Sequence, residues 1–225
     1  MKSSITSCRG ETLIEVLLAL MILITGAAGS LQLLGIASVN NQLAKERVIA
    51  TNLAREGIEA IRNIRDTNWL RFAGERRLCW NNNDLSKCDG SSPIEHQKSY
   101  LAKFDSANHR WELDVLDPNI PLELSDGVGS NDEKYRLKIS SSGLYNSSGI
   151  GDDSFYFREI YTEYVADDGN SNPPITRDGS TCSGIPDCAN ALRVISKVEW
   201  YDRGKISDVI LTTVLTDYLS RKNHE

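Results

Sequence analysis

The chain has 225 residues, a formal net charge of -6 and an apolar fraction of 40%. The acidic balance argues against a nucleic-acid partner held through bulk charge, and the ordinary apolar fraction argues against wholesale disorder. With the apolar N-terminus set aside, roughly 160 residues remain, enough for one domain with its own core.

The chain opens with basic Lys2 and Arg9, then Gly10 and the acids Glu11 and Glu15. From Val16 to Ala44 no side chain carries a charge. That stretch is long enough to span a bilayer, and Glu15 sits just inside it. A carboxylate there costs several kcal/mol unless it is paired or lies near the interface. An ordinary signal peptide would use Val16–Ile24 as its apolar core and Thr25-Gly26-Ala27-Ala28 as its small-residue site. Glu11 and Glu15 fit that poorly, and apolar residues continue through Leu31, Leu33, Leu34, Ile36 and Val39. A plain single-pass anchor would keep the basic N-terminus cytoplasmic and export the rest. It leaves Glu15, and the glycine before Glu11, without a role.

Gly10-Glu11-Thr12-Leu13-Ile14-Glu15-Val16-Leu17 resembles the cleavage site of type IV pilins and type II secretion pseudopilins. The resemblance implies a leader over residues 1–10, cut between Gly10 and Glu11 by a prepilin peptidase on the cytoplasmic side. It implies N-methylation of the new amino terminus at Glu11. It also implies that the apolar helix serves as both membrane anchor and assembly element. Glu15 stands where the family keeps a glutamate that meets the free amino terminus of a neighbouring subunit. In a low-dielectric bundle such a pair offsets part of the desolvation cost of both ions, and removing one partner leaves the other buried and unpaired. The bland alternative is a glutamate at headgroup level. The chain departs from the family at Glu11, where Phe is usual.

In chain order, one long helix is expected from about Thr12 to Ile64, loosened around Gly26–Gly29 and Gly35. The segment 11–39 is read as the transmembrane and assembly helix and 40–66 as its amphipathic continuation. There Val48, Ile49, Leu53, Ile58, Ile61 and Ile64 recur at helical spacing, with Arg55, Glu59, Arg62 and Asp66 on the polar side. Arg55–Glu59 and Arg62–Asp66 would be i,i+4 ion pairs worth tenths of a kcal/mol each. Residues 67–225 form the extracytoplasmic, β-rich head. Its stretch from Asn68 to His109 reads as mixed and loop-rich. Strands are expected over 111–116, 135–139, 155–165, 192–201 and 206–215. The last two form an antiparallel hairpin around Asp202-Arg203-Gly204-Lys205. That hairpin also resembles the closing hairpin of minor pilins of the PilV-like group.

Besides Cys8, the cysteines fall into two close pairs, Cys79 with Cys88 and Cys182 with Cys188. The spacings are not those of zinc knuckles, and beyond an apolar N-terminal segment they read as local disulfides in an oxidising compartment. Four cysteines nevertheless allow three connectivities. His96, His109 and His224 lack ligand spacing, and no G-x-S-x-G elbow or phosphate-binding glycine loop is present. No metal, no cofactor and no enzymatic activity are therefore expected. Acid-rich loops at 126–133, 151–153 and 167–170 invite calcium, but solvated turns use the same residues. Asn146-Ser147-Ser148 matches a glycosylation sequon and reads as a plain loop. Trp69, Trp80, Trp111 and Trp200 read as core, with Trp80 a contact-surface candidate if exposed.

The expected architecture is thus α+β and pilin-like. A long N-terminal α-helix, transmembrane in its first half, precedes a C-terminal antiparallel β-sheet. The expected partners are prepilin peptidase, other pilin or pseudopilin subunits, an inner-membrane assembly platform and the membrane itself. The expected place is the inner membrane, single-pass with the N-terminus cytoplasmic, and after assembly a cell-surface or periplasmic filament. The alternative is a membrane-anchored extracytoplasmic binding module that does not polymerise.

Overall fold

A computed structural model of the chain describes residues 11–74, 79–84, 86–88, 92–116, 121–124, 132–147, 149–165 and 191–216. The chain divides into two compact units, Met1–Glu46 and Arg47–Glu225. One helix, α1 (Glu11–Arg71), passes through both. It is uninterrupted at Gly26, Gly29 and Gly35, so the expected loosening is not seen.

In the second unit a single antiparallel sheet is built from β1 (Lys98–Asp105), β2 (Arg110–Val115), β3 (Arg136–Ile139), β4 (Tyr145–Asn146), β5 (Asp152–Val165), β6 (Ala191–Asp202) and β7 (Lys205–Thr216). A short 3-10 turn, Asp132–Tyr135, leads into β3. The long strand β5 is central. Along one side it pairs with β3 near its start and with β1 near its end. Along the other it pairs with β6, which pairs in turn with β7. The order is β2-β1-β5-β3-β4 with β6 and β7 beyond β5. The five strands read from the sequence are present within a few residues.

Alternation along the strands gives each face its own cover. Tyr156, Ile160 and Tyr164 of β5, with Leu192, Val194 and Val198 of β6, form buried clusters with Ala50, Leu53, Ala54, Ile58, Ile61 and Ile64 of α1. Burying one large aliphatic side chain contributes about 1.5–3 kcal/mol, so this row carries much of the domain's stability. The helix comes close because its contact stripe is small. A Cβ added to Gly57 would lie 2.6 Å from Ser196 Oγ and 3.2 Å from Ile160 Cδ1. On the opposite face, Leu122 and Leu124 cover Phe157 with Tyr135. Two buried acids hold that strap. Glu159 accepts from Leu122 N at 3.2 Å and from Ser99 Oγ at 2.5 Å. Glu199 accepts from Leu124 N at 2.9 Å and pairs with Lys197 at 2.6 Å.

Arg158 is the largest side chain buried between α1 and the sheet. Its guanidinium donates to Leu53 O at 3.2 Å, Glu56 Oε1 at 3.0 Å, Ala102 O at 3.2 Å and Ser147 Oγ at 3.3 Å. A buried cation is tolerable only when its donors are met in this way. One residue therefore ties α1, β1, β5 and the chain after β4 together.

Four expectations need correction. Helix α1 runs to Arg71 rather than ending at Ile64, because Trp69 is buried and Asn68 Nδ2 donates to Asn82 O at 2.7 Å. The stretch 68–109, read as mixed and loop-rich with no strand assigned to it, contains β1. Arg62 pairs with Glu59, and Arg65 pairs with Asp66 at 2.8 Å, instead of Arg55–Glu59 and Arg62–Asp66. Val48 is 60% exposed and not part of the buried stripe.

Candidate functional site

The first unit is defined by what its helix lacks. Leu13, Ile14, Val16, Leu17, Leu18 and Leu20 are between 49% and 64% exposed, and Met21, Ile22, Leu23 and Ile24, which complete the turn of the helix after them, are between 63% and 71% exposed. At 1.5 Å per residue, Val16–Val39 spans about 36 Å, more than the roughly 30 Å hydrocarbon core of a bilayer. It is a helix long and apolar enough to cross a membrane, with none of its most apolar window buried. This is consistent with a single-pass anchor near the N-terminus. Two of its hydroxyls are met by the helix's own backbone. Thr25 Oγ1 donates to Met21 O at 2.8 Å and Ser30 Oγ to Gly26 O at 2.8 Å, so neither donor would be left unmet in an apolar surrounding.

Glu15 lies on this helix and is exposed. None of the ion pairs among the described residues reaches it. Glu11 and Thr12 begin the helix. Gly10, with the rest of the expected leader, lies outside the described residues, as do Cys8, Cys182 and Cys188.

Cys79 and Cys88 are bonded, with Cα atoms 5.6 Å apart, inside the usual range for a disulfide. The loop between them is stitched inward by its asparagines. Asn81 Nδ2 donates to Tyr164 Oη at 2.6 Å, while Ile94 N donates to Asn81 O at 2.7 Å. Asn82 Nδ2 donates to Asp84 O and Lys87 O, both at 2.6 Å. Asn83 Nδ2 donates to Leu113 O on β2 at 3.1 Å. Trp80 is buried beneath this loop, so it offers no contact surface. Among the other tryptophans, Trp69 and Trp200 are buried and Trp111 is half-buried.

The shifted titrations here follow from packing. Burial pushes the Tyr100 phenol up to about 12 and the Tyr164 phenol further in the same direction. Tyr164 donates to Ile94 O. Burial lowers His96, against the opposing pull of Glu163, and His96 Nδ1 accepts from Tyr164 N at 2.9 Å. A polar cleft of about 250 Å³ is lined by Asn83, Asp84, Arg110, Glu112, Leu113 and Asp114. Arg110 pairs there with Glu112 at 2.8 Å and Asp114 with Lys103 at 2.7 Å, while Asp84 accepts from Ser86 N at 2.8 Å and Ser86 Oγ at 2.6 Å. In the acid-rich loops, Glu133 is held by Arg136 at 2.6 Å and Asp153 by Lys138. Loop residues 126–131 and 167–170 lie outside the described residues. Among the described residues no cluster of His, Cys, Asp and Glu is gathered as metal ligands would be.

No family model matches the chain, and no curated protein or solved structure matches it.

Sequence reasoning missed the buried polar frame of Arg158, Glu159 and Glu199. Its only signal was a charged pair, Arg158-Glu159, in the middle of an otherwise aromatic and β-branched run. Adjacent residues of a strand face opposite sides, so one of those charges had to enter each covered face.

Proposed function

We propose that the chain is a pilin-like subunit, a minor pilin or pseudopilin, whose activity is assembly rather than catalysis. The observation that supports this most is the bare apolar half of α1 with Glu15 near its start. A helix apolar on all sides must be surrounded by lipid or by other helices. A carboxylate within it needs a cationic partner once water is removed. In the proposed sequence of events, prepilin peptidase cuts after Gly10 and Glu11 becomes the methylated N-terminus. The helix holds the subunit in the inner membrane with its sheet domain extracytoplasmic. An assembly platform then moves it into a filament of side-by-side helices. Glu15 of one subunit meets the amino terminus of its neighbour and fixes their relative height.

A membrane-anchored binding module that never polymerises would share the helix but would have no use for a carboxylate there. Replacing Glu15→Ala in the native host separates the two. The expected result is normal membrane insertion with loss of the subunit from sheared filaments. Incorporation equal to the unaltered chain would sink the pairing.

A further inference from the structure

The two long margins of the sheet are finished differently. At β2 the outward carbonyl of Leu113 is taken by Asn83 of the disulfide loop, and the strand is six residues long and carries Arg110, Glu112 and Asp114. Charge, shortness and a covering loop are the usual protections of a sheet edge. At the other margin β7 is twelve residues long. Among the described residues it pairs only with β6, without a register shift from Lys205 to Thr216. It contains no proline, and one carboxylate, Asp208, is its only charge after Lys205. Ile206, Ile210 and Val214 are 39%, 51% and 40% exposed.

The turn fixes which backbone groups point outward. Arg203 and Gly204 both have positive φ, 49° and 77°, the signature of a two-residue type I′ turn. The flanking pair, Asp202 and Lys205, then exchanges both backbone hydrogen bonds, and hydrogen-bonded and non-hydrogen-bonded pairs alternate from there. Ile206, Asp208, Ile210, Thr212 and Val214 fall at the non-bonded positions with β6. Their N–H and C=O groups therefore face the open edge, and the same residues carry the exposed side chains.

From this pattern we infer that β7 docks on β7 of a second copy, antiparallel, about a two-fold axis at Ile210. In that register Ile210 faces its own counterpart, Ile206 faces Val214, and Asp208 faces Thr212. Outward backbone groups meet outward backbone groups at each of these positions. Every exposed apolar residue meets another. Moving the axis to Asp208 would set two carboxylates against each other, which is unfavourable across a strand pair. Self-complementarity of this kind is what a two-fold interface requires. The inference is independent of filament assembly and uses no residue of α1.

The test uses the full chain in detergent micelles, with photoreactive p-benzoylphenylalanine in place of Ile210. Irradiation is expected to give a covalent dimer in which both cross-linked peptides come from residues 205–216. A monomer alone, or cross-links to any other segment or protein, would overturn the inference. Register is tested by Thr212→Asp, which places a carboxylate opposite Asp208 and is expected to abolish the dimer. Adding Asp208→Lys to that variant is expected to restore it, since the two sites lie four residues apart on one strand and meet only across the axis. A Thr212→Asp chain that cross-links as before would refute the register. Glu15→Ala is expected to leave this dimer intact, so its failure and that of the proposed assembly contact are told apart.

Discussion

The two halves of α1 solve opposite problems with one secondary structure. In the half before Arg47, apolar residues face every direction and stay exposed, from Leu13 at 64% to Ile22 at 71% and Leu34 at 67%. In the half after it, apolar residues keep to one face and vanish under the sheet: Ala50, Ala54, Ala60 and Ile61 are all 0% exposed. The polar face of the second half is absent from the first. The difference teaches that the helix is one element in two solvents. Water and a protein core surround the second half. The first half has the surface of a segment meant for lipid or for other helices.

Truncations should separate the halves most sharply. Ile61→Ala is expected to cost about 2–5 kcal/mol of unfolding free energy, the usual range for a fully buried isoleucine. Leu23→Ala, 67% exposed, is expected to stay within about 0.5 kcal/mol. Urea unfolding of both in detergent, followed by tryptophan fluorescence, checks this; equal costs would break the comparison. Next come the glycines. Gly57→Ala drives a methyl group toward Ser196 and should cost about 1–3 kcal/mol as an overpacked site. The double change with Ser196→Ala should recover most of that. Gly26→Ala meets nothing within 4 Å and should be neutral, or stabilise the helix by up to about 1 kcal/mol. A Gly57→Ala chain as stable as the parent would show that α1 does not sit closely on β6.

A smaller effect is expected at His96. Its imidazole titrates below the ordinary value of 6.5 because it is partly buried. Between the folded value and 6.5 the unfolded chain binds the proton more readily. Stability is therefore complete above about pH 6.5 and falls as pH drops toward the folded value. Melting temperatures across that window should slope for the parent and flatten for His96→Gln. The smallest effect belongs to the exposed pair Arg62–Glu59. Glu59→Gln should change stability by less than about 0.5 kcal/mol, and a larger loss would mean that the polar face of the second half does more than stay wet.

Much of this contrast was legible in the sequence. The absence of charge from Val16 to Ala44 marked the first half. The spacing of Leu53, Ile58, Ile61 and Ile64 marked the second. What was not legible was the part carried by small residues. Gly57 meets the sheet closely, and Ala50, Ala54 and Ala60 are fully buried, yet none announces burial by its own hydrophobicity, whereas Val48 does and is exposed. Strand β1 was missed for a similar reason. Its buried positions are Ser99, Tyr100 and Ala102, while its Phe104 is 49% exposed, so the pattern of hydrophobicity runs against the pattern of burial. The strap at Leu122 and Leu124 was hidden because its anchors, Glu159 and Glu199, are distant in sequence. At the candidate site the carboxylate and the apolar run were plain, and the partner proposed for Glu15 lies on another chain.

The proposed assembly function rests first on processing, because only a freed amino terminus can meet Glu15 of a neighbour. N-terminal sequencing of the chain purified from membranes of its native host tests this directly. A mature sequence that starts Glu11-Thr12-Leu13-Ile14-Glu15, with a methylated first residue, is the result expected. A chain that still starts at Met1, or one cut after Ala28, would contradict it.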